Sequence, residues 1–186
     1  MDQYRIAVLV GSLRRESYTR KIARALMALA PASLQMEIVE IGQLPWYNQD
    51  LDEAGEPPPQ WTVFRDTMRP ARGVLFATPE YNRSVPGVLK NAIDVGSRPP
   101  GKSAWSKAPT AVVSVSPGAI GAFGANQHLR QSFVFLNMPA LQFEAYIGGA
   151  DKLFDASGGI AVDSTRDFLR KFLDAFATWI DTNPRR

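Results

Sequence analysis

Five short apolar runs separated by helical segments constrain this chain's fold more than any other feature. The runs are Arg5 to Val10, Gln35 to Glu40, Gly73 to Ala77, Thr110 to Val115 and Leu141 to Tyr146. Such runs are how parallel strands read when helices cover both faces of a sheet. The helical segments are Tyr18 to Leu29, Pro59 to Met68, Pro86 to Val95, Asn126 to Leu136 and Ser164 to Ile180. Ile22, Leu26 and Leu29 share one face of the first of these, and Leu169, Phe172, Leu173, Phe176 and Ile180 share one face of the last. That spacing assigns Phe168, Phe172 and Phe176 to packing against a sheet rather than to a cofactor. Strict alternation implies right-handed crossovers and an α/β three-layer sandwich, with a five-stranded parallel sheet of default order 2-1-3-4-5. Residues 1–186 read as one domain. Asp163 and Ser164 offer a cap for the last helix, and Asn183-Pro184 ends it. The proline-rich segments Glu53 to Pro59 and Ser97 to Lys107 read as surface loops, mobile or at an interface.

Composition narrows the chemistry. The 186 residues include no cysteine and a single histidine, His128, which excludes thiol catalysis, disulfides and cysteine-ligated metals. Asp50, Asp52 and Glu53 crowd together, and a solvated acidic loop explains them better than a metal site. Redox or group-transfer chemistry therefore falls to an organic cofactor. The net charge of +3 and pI near 9.3 come from dispersed basic residues, unlike the stripe of a nucleic-acid binder, and suit anionic small molecules. No apolar stretch approaches a membrane span and the N-terminus has no secretory pattern, so a soluble cytoplasmic protein is expected.

In a sheet of this order ligands lie beyond the carboxyl ends of strands one and three, where the strand order reverses. After the first run comes Gly11-Ser12-Leu13-Arg14-Arg15-Glu16-Ser17-Tyr18-Thr19-Arg20, then a helix. A turn of this kind gathers free N–H groups, a helix dipole and several hydroxyls around one volume suited to an anion. Neither Gly-x-x-x-x-Gly-Lys-Ser/Thr nor Gly-x-Gly-x-x-Gly is present, so a monophosphate held mainly by side-chain hydroxyls fits best, although the same residues would also serve as a plain helix cap. The loop after the third run, Thr78 to Gly87, carries two prolines that stiffen it, so that it can present backbone groups to the edge of a flat heterocycle beside Tyr81. An ordinary strand-to-helix connection accounts for Pro86 but not for Glu80-Tyr81-Asn82. After the fourth run, Ser116 to Gly124 holds three glycines, Gly118, Gly121 and Gly124, that permit close backbone approach. The three loops together fit a phosphorylated planar cofactor.

The chain resembles the NAD(P)H-dependent FMN reductases of the flavodoxin-like superfamily, in the branch that includes soluble quinone and chromate reductases. The resemblance rests on Gly11 to Thr19, on Leu44-Pro45-Trp46-Tyr47-Asn48-Gln49-Asp50-Leu51, and on Pro79-Glu80-Tyr81-Asn82 followed by Ser84 to Asp94. It implies a flavoprotein oxidoreductase that binds FMN, accepts hydride from NADPH or NADH and passes electrons to a small-molecule acceptor, a quinone or chromate. Ser12, Arg14, Ser17 and Thr19, with the amide of Tyr18, would hold the phosphate. Pro79, Glu80, Tyr81 and Asn82 would border the isoalloxazine ring, and Ser116 and Gly118 would close its other side. No catalytic side chain and no metal are implied.

Thr19 stands where the family commonly has asparagine, and Arg83 where close relatives are often aromatic. The resemblance also implies a homo-oligomer, dimer or tetramer, with the Trp46-Tyr47 loop near a neighbour's cofactor; the plainer reading has both rings covering their own sheet edge. Arg83 and Arg98 would meet a nicotinamide cofactor's phosphate or pair across subunits. His128 fits an interface or solvated position better than acid–base catalysis. Two other readings share the fold: a non-enzymatic electron carrier or flavin-binding regulator, and a reductase that releases reduced FMN to a partner monooxygenase. Carrier flavodoxins are typically acidic, whereas this chain is basic.

Overall fold

The computed structural model describes residues 3–185. Strands β1 (Tyr4–Val10), β2 (Leu34–Ile38), β3 (Gly73–Thr78), β4 (Thr110–Val115) and β5 (Ala145–Ile147) form one sheet. Its order is β2-β1-β3-β4-β5 with every pairing parallel, as the alternation of runs implies. The helices are α1 (Tyr18–Leu29), α2 (Gln49–Glu53), α3 (Pro59–Met68), α4 (Gly87–Gly96), α5 (Phe123–Phe135) and α6 (Asp163–Thr182). Helices α1 and α6 cover one face, where Ile22, Leu26, Phe172 and Phe176 pack on Val8, Leu75 and Val113. On the other face, Trp61, Phe64, Leu89, Leu129 and Phe133 from α3, α4 and α5 pack on Leu9, Phe76 and Val112. β3 and β4 are buried along their whole length, which is why they read as unbroken apolar runs. Among the described residues no helix is long and apolar enough to cross a membrane.

Several boundaries differ from the expected ones, each for a tertiary reason. The fifth strand is interrupted: the Leu141 N–H bonds to the Thr110 carbonyl, the chain then leaves the sheet, and it rejoins at Ala145. Arg130 holds the Leu141 and Phe143 carbonyls, and Phe143 turns onto Phe168 and Phe172. The last helix has Val162 at its N-cap with no side-chain capping bond, because Asp163 already lies within the helix and pairs with Arg166. The segment from Ser97 to Lys107 is no simple surface loop. Trp105 is fully buried, and its indole N–H donates to the Ile93 carbonyl at 2.7 Å.

The acidic segment also behaves differently. Gln49–Glu53 is helical, capped by the Asn48 side chain, which accepts from the Asp50 N–H. Asp52 is not solvated. Both its oxygens accept from Arg65, at 2.8 and 2.7 Å, and the two side chains are only 6% and 4% exposed. Arg65 Nε also donates to the Val95 carbonyl, so one guanidinium joins α2, α3 and α4. Replacing Arg65 with alanine strands the Asp52 carboxylate and is expected to cost about 3 kcal/mol, read as a lower urea midpoint. Asp66→Ala, which removes an exposed partner of Arg69, is expected to shift stability by less than about 0.5 kcal/mol.

Candidate functional site

The site begins where β1 and β3 end. Val10 pairs with Ala77 in the parallel ladder, and the Gly11 N–H extends it by one bond to the Ala77 carbonyl, 2.8 Å away. The chain then leaves both strands at the same level, so the loops after β1 and β3 start side by side at the point where the strand order reverses.

Ser17 is the N-cap of α1. Its φ and ψ of −78° and 118° are extended, and its Oγ accepts from the Arg20 N–H at 3.1 Å, so its hydroxyl proton remains available to donate. The amides of Tyr18 and Thr19 lie in the first turn, where a helix offers them no carbonyl. Ser12, Ser17 and Thr19 are 3%, 2% and 2% exposed. Among the described residues no hydrogen bond engages the Ser12 or Thr19 hydroxyl. Neither hydroxyl is sealed off without a partner, as the Tyr47 hydroxyl is; both residues line a hollow of about 450 Å³, counted with its open mouth.

That hollow collects the three loops. The loop after β1 contributes Ser12, Arg14, Ser17, Tyr18 and Thr19, and the loop after β3 contributes Pro79, Glu80 and Tyr81. The end of β4 and the residues after it contribute Val115, Ser116 and Pro117. Asn82 and Gly118 are not on its wall. Asn82 lies one residue beyond, at φ 51°, and Gly118 is tied back through its carbonyl, which accepts from the Ser116 hydroxyl at 2.9 Å. Val115 and Pro117 carry no distinctive chemistry in the sequence; only their place at the carboxyl end of the fourth run, where ligands gather in such sheets, marks them.

The glycine-rich loop is fixed from below. The Ser114 hydroxyl, fully buried, donates to the Gly121 carbonyl at 2.7 Å and accepts from the Asn126 amide at 3.1 Å. Gly121 has φ +63°, and a Cβ there would lie 2.8 Å from the Ile147 nitrogen, so both its conformation and its surroundings require glycine. Next to it, Phe123 packs on Tyr146. Burial, and then the hydrogen bond with Glu144, raise the Tyr146 hydroxyl above the ordinary phenol range, so it stays protonated at neutral pH.

Other candidate residues lie outside the hollow. His128 is exposed, with Nδ1 3.0 Å from the Ser84 hydroxyl. Arg83 is exposed and 3.6 Å from Glu80, and Arg98 lines a separate cleft with Tyr47 and Pro99. Tyr47 turns inward and packs at a tilt against Trp61, whereas Trp46 is 72% exposed; the two rings do not act as a pair. A hollow with donor hydroxyls and a helix N-terminus at one end, and prolines with a tyrosine along its side, matches a flat molecule that carries one phosphate. The residues present therefore fit a flavin mononucleotide.

Residues 4–152 match the model of the NADPH-dependent FMN reductase family. A quinone reductase of Pseudomonas putida is 65% identical over 181 residues, covering 97% of this chain and 96% of that protein. A 2-hydroxy-1,4-benzoquinone reductase of Burkholderia sp is 44% identical over 177 residues, with 95% and 96% covered. Among solved structures, FerB, a flavoenzyme NAD(P)H:(acceptor) oxidoreductase from Paracoccus denitrificans, aligns with a TM-score of 0.91 and 38% identity over 98% of this chain and 100% of that one. The matched region takes in all five strands and every residue that lines the hollow, and the chain belongs to the NADPH-dependent FMN reductase family.

Proposed function

We propose that this protein binds FMN in the hollow between the three loops and carries electrons from NAD(P)H to quinones. The observation that carries the reading is the set of hydroxyls, those of Ser12, Ser17 and Thr19, that line the hollow beside the N-terminus of α1 with protons no protein group accepts. They are of the kind and number that a phosphate monoester needs. Ser12, Arg14, Ser17, Thr19 and the Tyr18 amide hold the phosphate in this reading. Pro79, Glu80, Tyr81 and Asn82 form the rim for the ring, with Ser116 and Gly118 opposite. When bound, the flavin supplies the hydride and electron chemistry, and the chain's own task is to hold it, orient it and leave one face open. The mouth is flanked by exposed Tyr81 and by Ser116 and Pro117, a surface on which a planar acceptor can lie.

Quinone is the proposed acceptor because the Pseudomonas putida and Burkholderia relatives are named for quinone substrates and match nearly the whole chain. A homo-oligomer, dimer or tetramer, is also proposed. It is supported by large apolar side chains left in solvent, Phe135 at 87% and Trp46 at 72% exposed. Light scattering coupled to size exclusion is expected to give a dimer or tetramer mass; a monomer at micromolar concentration rejects this part alone.

Purified protein is expected to take up FMN, to bleach with NADPH or NADH, and to regain its colour when benzoquinone is added. A protein that takes up no FMN and consumes neither nucleotide overturns the enzyme reading. One that bleaches and stays reduced with quinone, but is reoxidised by chromate, overturns only the choice of acceptor.

Alanine at Ser12 removes a donor that no protein group uses, so it is expected to leave the thermal stability of the FMN-free protein within about 0.5 kcal/mol. It should weaken FMN binding about tenfold, the loss of one hydrogen bond to a charged group. Alanine at Ser17 removes the helix cap as well, and is expected to lower the FMN-free stability by about 1 kcal/mol in the same melting experiment.

A further inference from the structure

Helix α5 starts without a cap of its own. Its N-cap, Ala122, sits in the left-handed region at φ 60° and ψ 43°, and no side chain near it in sequence bonds to the first turn. The partner arrives from another loop. Glu80 Oε2 accepts from the Ala125 N–H at 3.1 Å, with the Glu80 side chain only 14% exposed. A carboxylate is the favoured group at a helix N-terminus.

Two further contacts join the same pieces. A Cβ on Gly124 would lie 2.9 Å from the Arg83 carbonyl and 3.0 Å from Glu80 Oε2, so this glycine is what lets the loop seat against the helix. Ser84 Oγ meets Nδ1 of His128, one turn further along α5, at 3.0 Å. Between these anchors the chain makes a tight turn. Tyr81 and Ser84 exchange both backbone hydrogen bonds at 3.0 Å, and Asn82 and Arg83 adopt φ 51° and 65°. Two successive positive φ values define a type I′ turn, a conformation that an arginine holds only when its surroundings impose it. The Arg83 guanidinium is 82% exposed and 3.6 Å from Glu80 Oε1, too solvated to impose it.

We propose that Glu80 is a positioning residue whose carboxylate caps α5 from the loop after β3, and so locks that loop and its strained turn to the helix after β4. The side chain thus serves the flavin rim indirectly, by fixing where the backbone of residues 79–82 stands. This rests on the reading of that rim as the flavin site, and the experiment separates the two. Amide hydrogen exchange is measured on the full chain without FMN for wild type, Glu80→Gln and Glu80→Ala. FMN affinity is then measured by quenching of flavin fluorescence.

In Glu80→Ala, residues 81–84 and 123–126 are expected to exchange about tenfold faster together, and FMN to bind about tenfold more weakly. Glu80→Gln, which keeps an acceptor oxygen, should restore most of both. If exchange rises at 123–126 while 81–84 stay protected, Glu80 is only a local cap and the proposal fails. It also fails if neither segment changes. Should Glu80→Ala not fold, Gly124→Ala replaces it, since its methyl pushes the loop off the helix; unchanged protection of 81–84 in that variant overturns the proposal. A wild type that takes up no FMN removes the flavin reading, while the exchange comparison still decides the link between loop and helix.

Discussion

The parallel pairing of β1 with β3 is the constraint on which the rest of this structure depends. It places Gly11 beside Ala77 with their backbone groups bonded at 2.8 Å, so the first and third loops begin at one height. The loop after β1 runs into α1 on one face of the sheet, whereas the loop after β3 runs into α4 on the other. The two loops therefore diverge and leave a crevice between them. Everything assigned to the site is a way of lining or bracing that crevice.

The α1 end of the wall and most of its braces use different kinds of group, with Glu80 serving as both. Where the wall meets α1 it presents hydroxyls and first-turn amides, short donors whose positions follow from the backbone that carries them. Ser17 shows the economy of this arrangement, since one hydroxyl caps α1 and still has a proton to give. The bracing is done by longer polar side chains that reach between elements. Glu80 joins the third loop to α5, and Asn126 and Ser114 hold the glycine loop to β4. Each of these is buried or nearly so and satisfied, the condition under which a polar group stiffens a core instead of weakening it.

What was legible in the sequence follows from how local each signal is. Helix α1 runs over the residues expected because Ser17 and the stripe of Ile22 and Leu26 lie within it or next to it. Helix α3 does so because Pro59 is preformed for a first turn. Helix α5 begins three residues before the expected Asn126, since the group that satisfies its first turn is Glu80, 45 residues earlier. The expected cap at Asp163 and Ser164 is absent because the chain is already helical at Asp163, whose exposed carboxylate accepts from Arg166 one turn on. The acidic cluster gave no hint that Asp52 is buried, because its partner comes from a different helix.

The alternation of apolar runs and helical segments was enough to imply a five-stranded parallel sheet, for which 2-1-3-4-5 is the default order that the structure bears out. Periodicity and turn chemistry act within a few residues, so a chain states them openly. Only the tertiary structure decided which candidates share a wall, that Asn82 and Gly118 stand just behind it, where the fifth strand breaks and which way each charged side chain turns. Those outcomes depend on contacts between residues far apart in the chain, where a carboxylate or guanidinium settles wherever burial leaves a backbone or charged group in need of it.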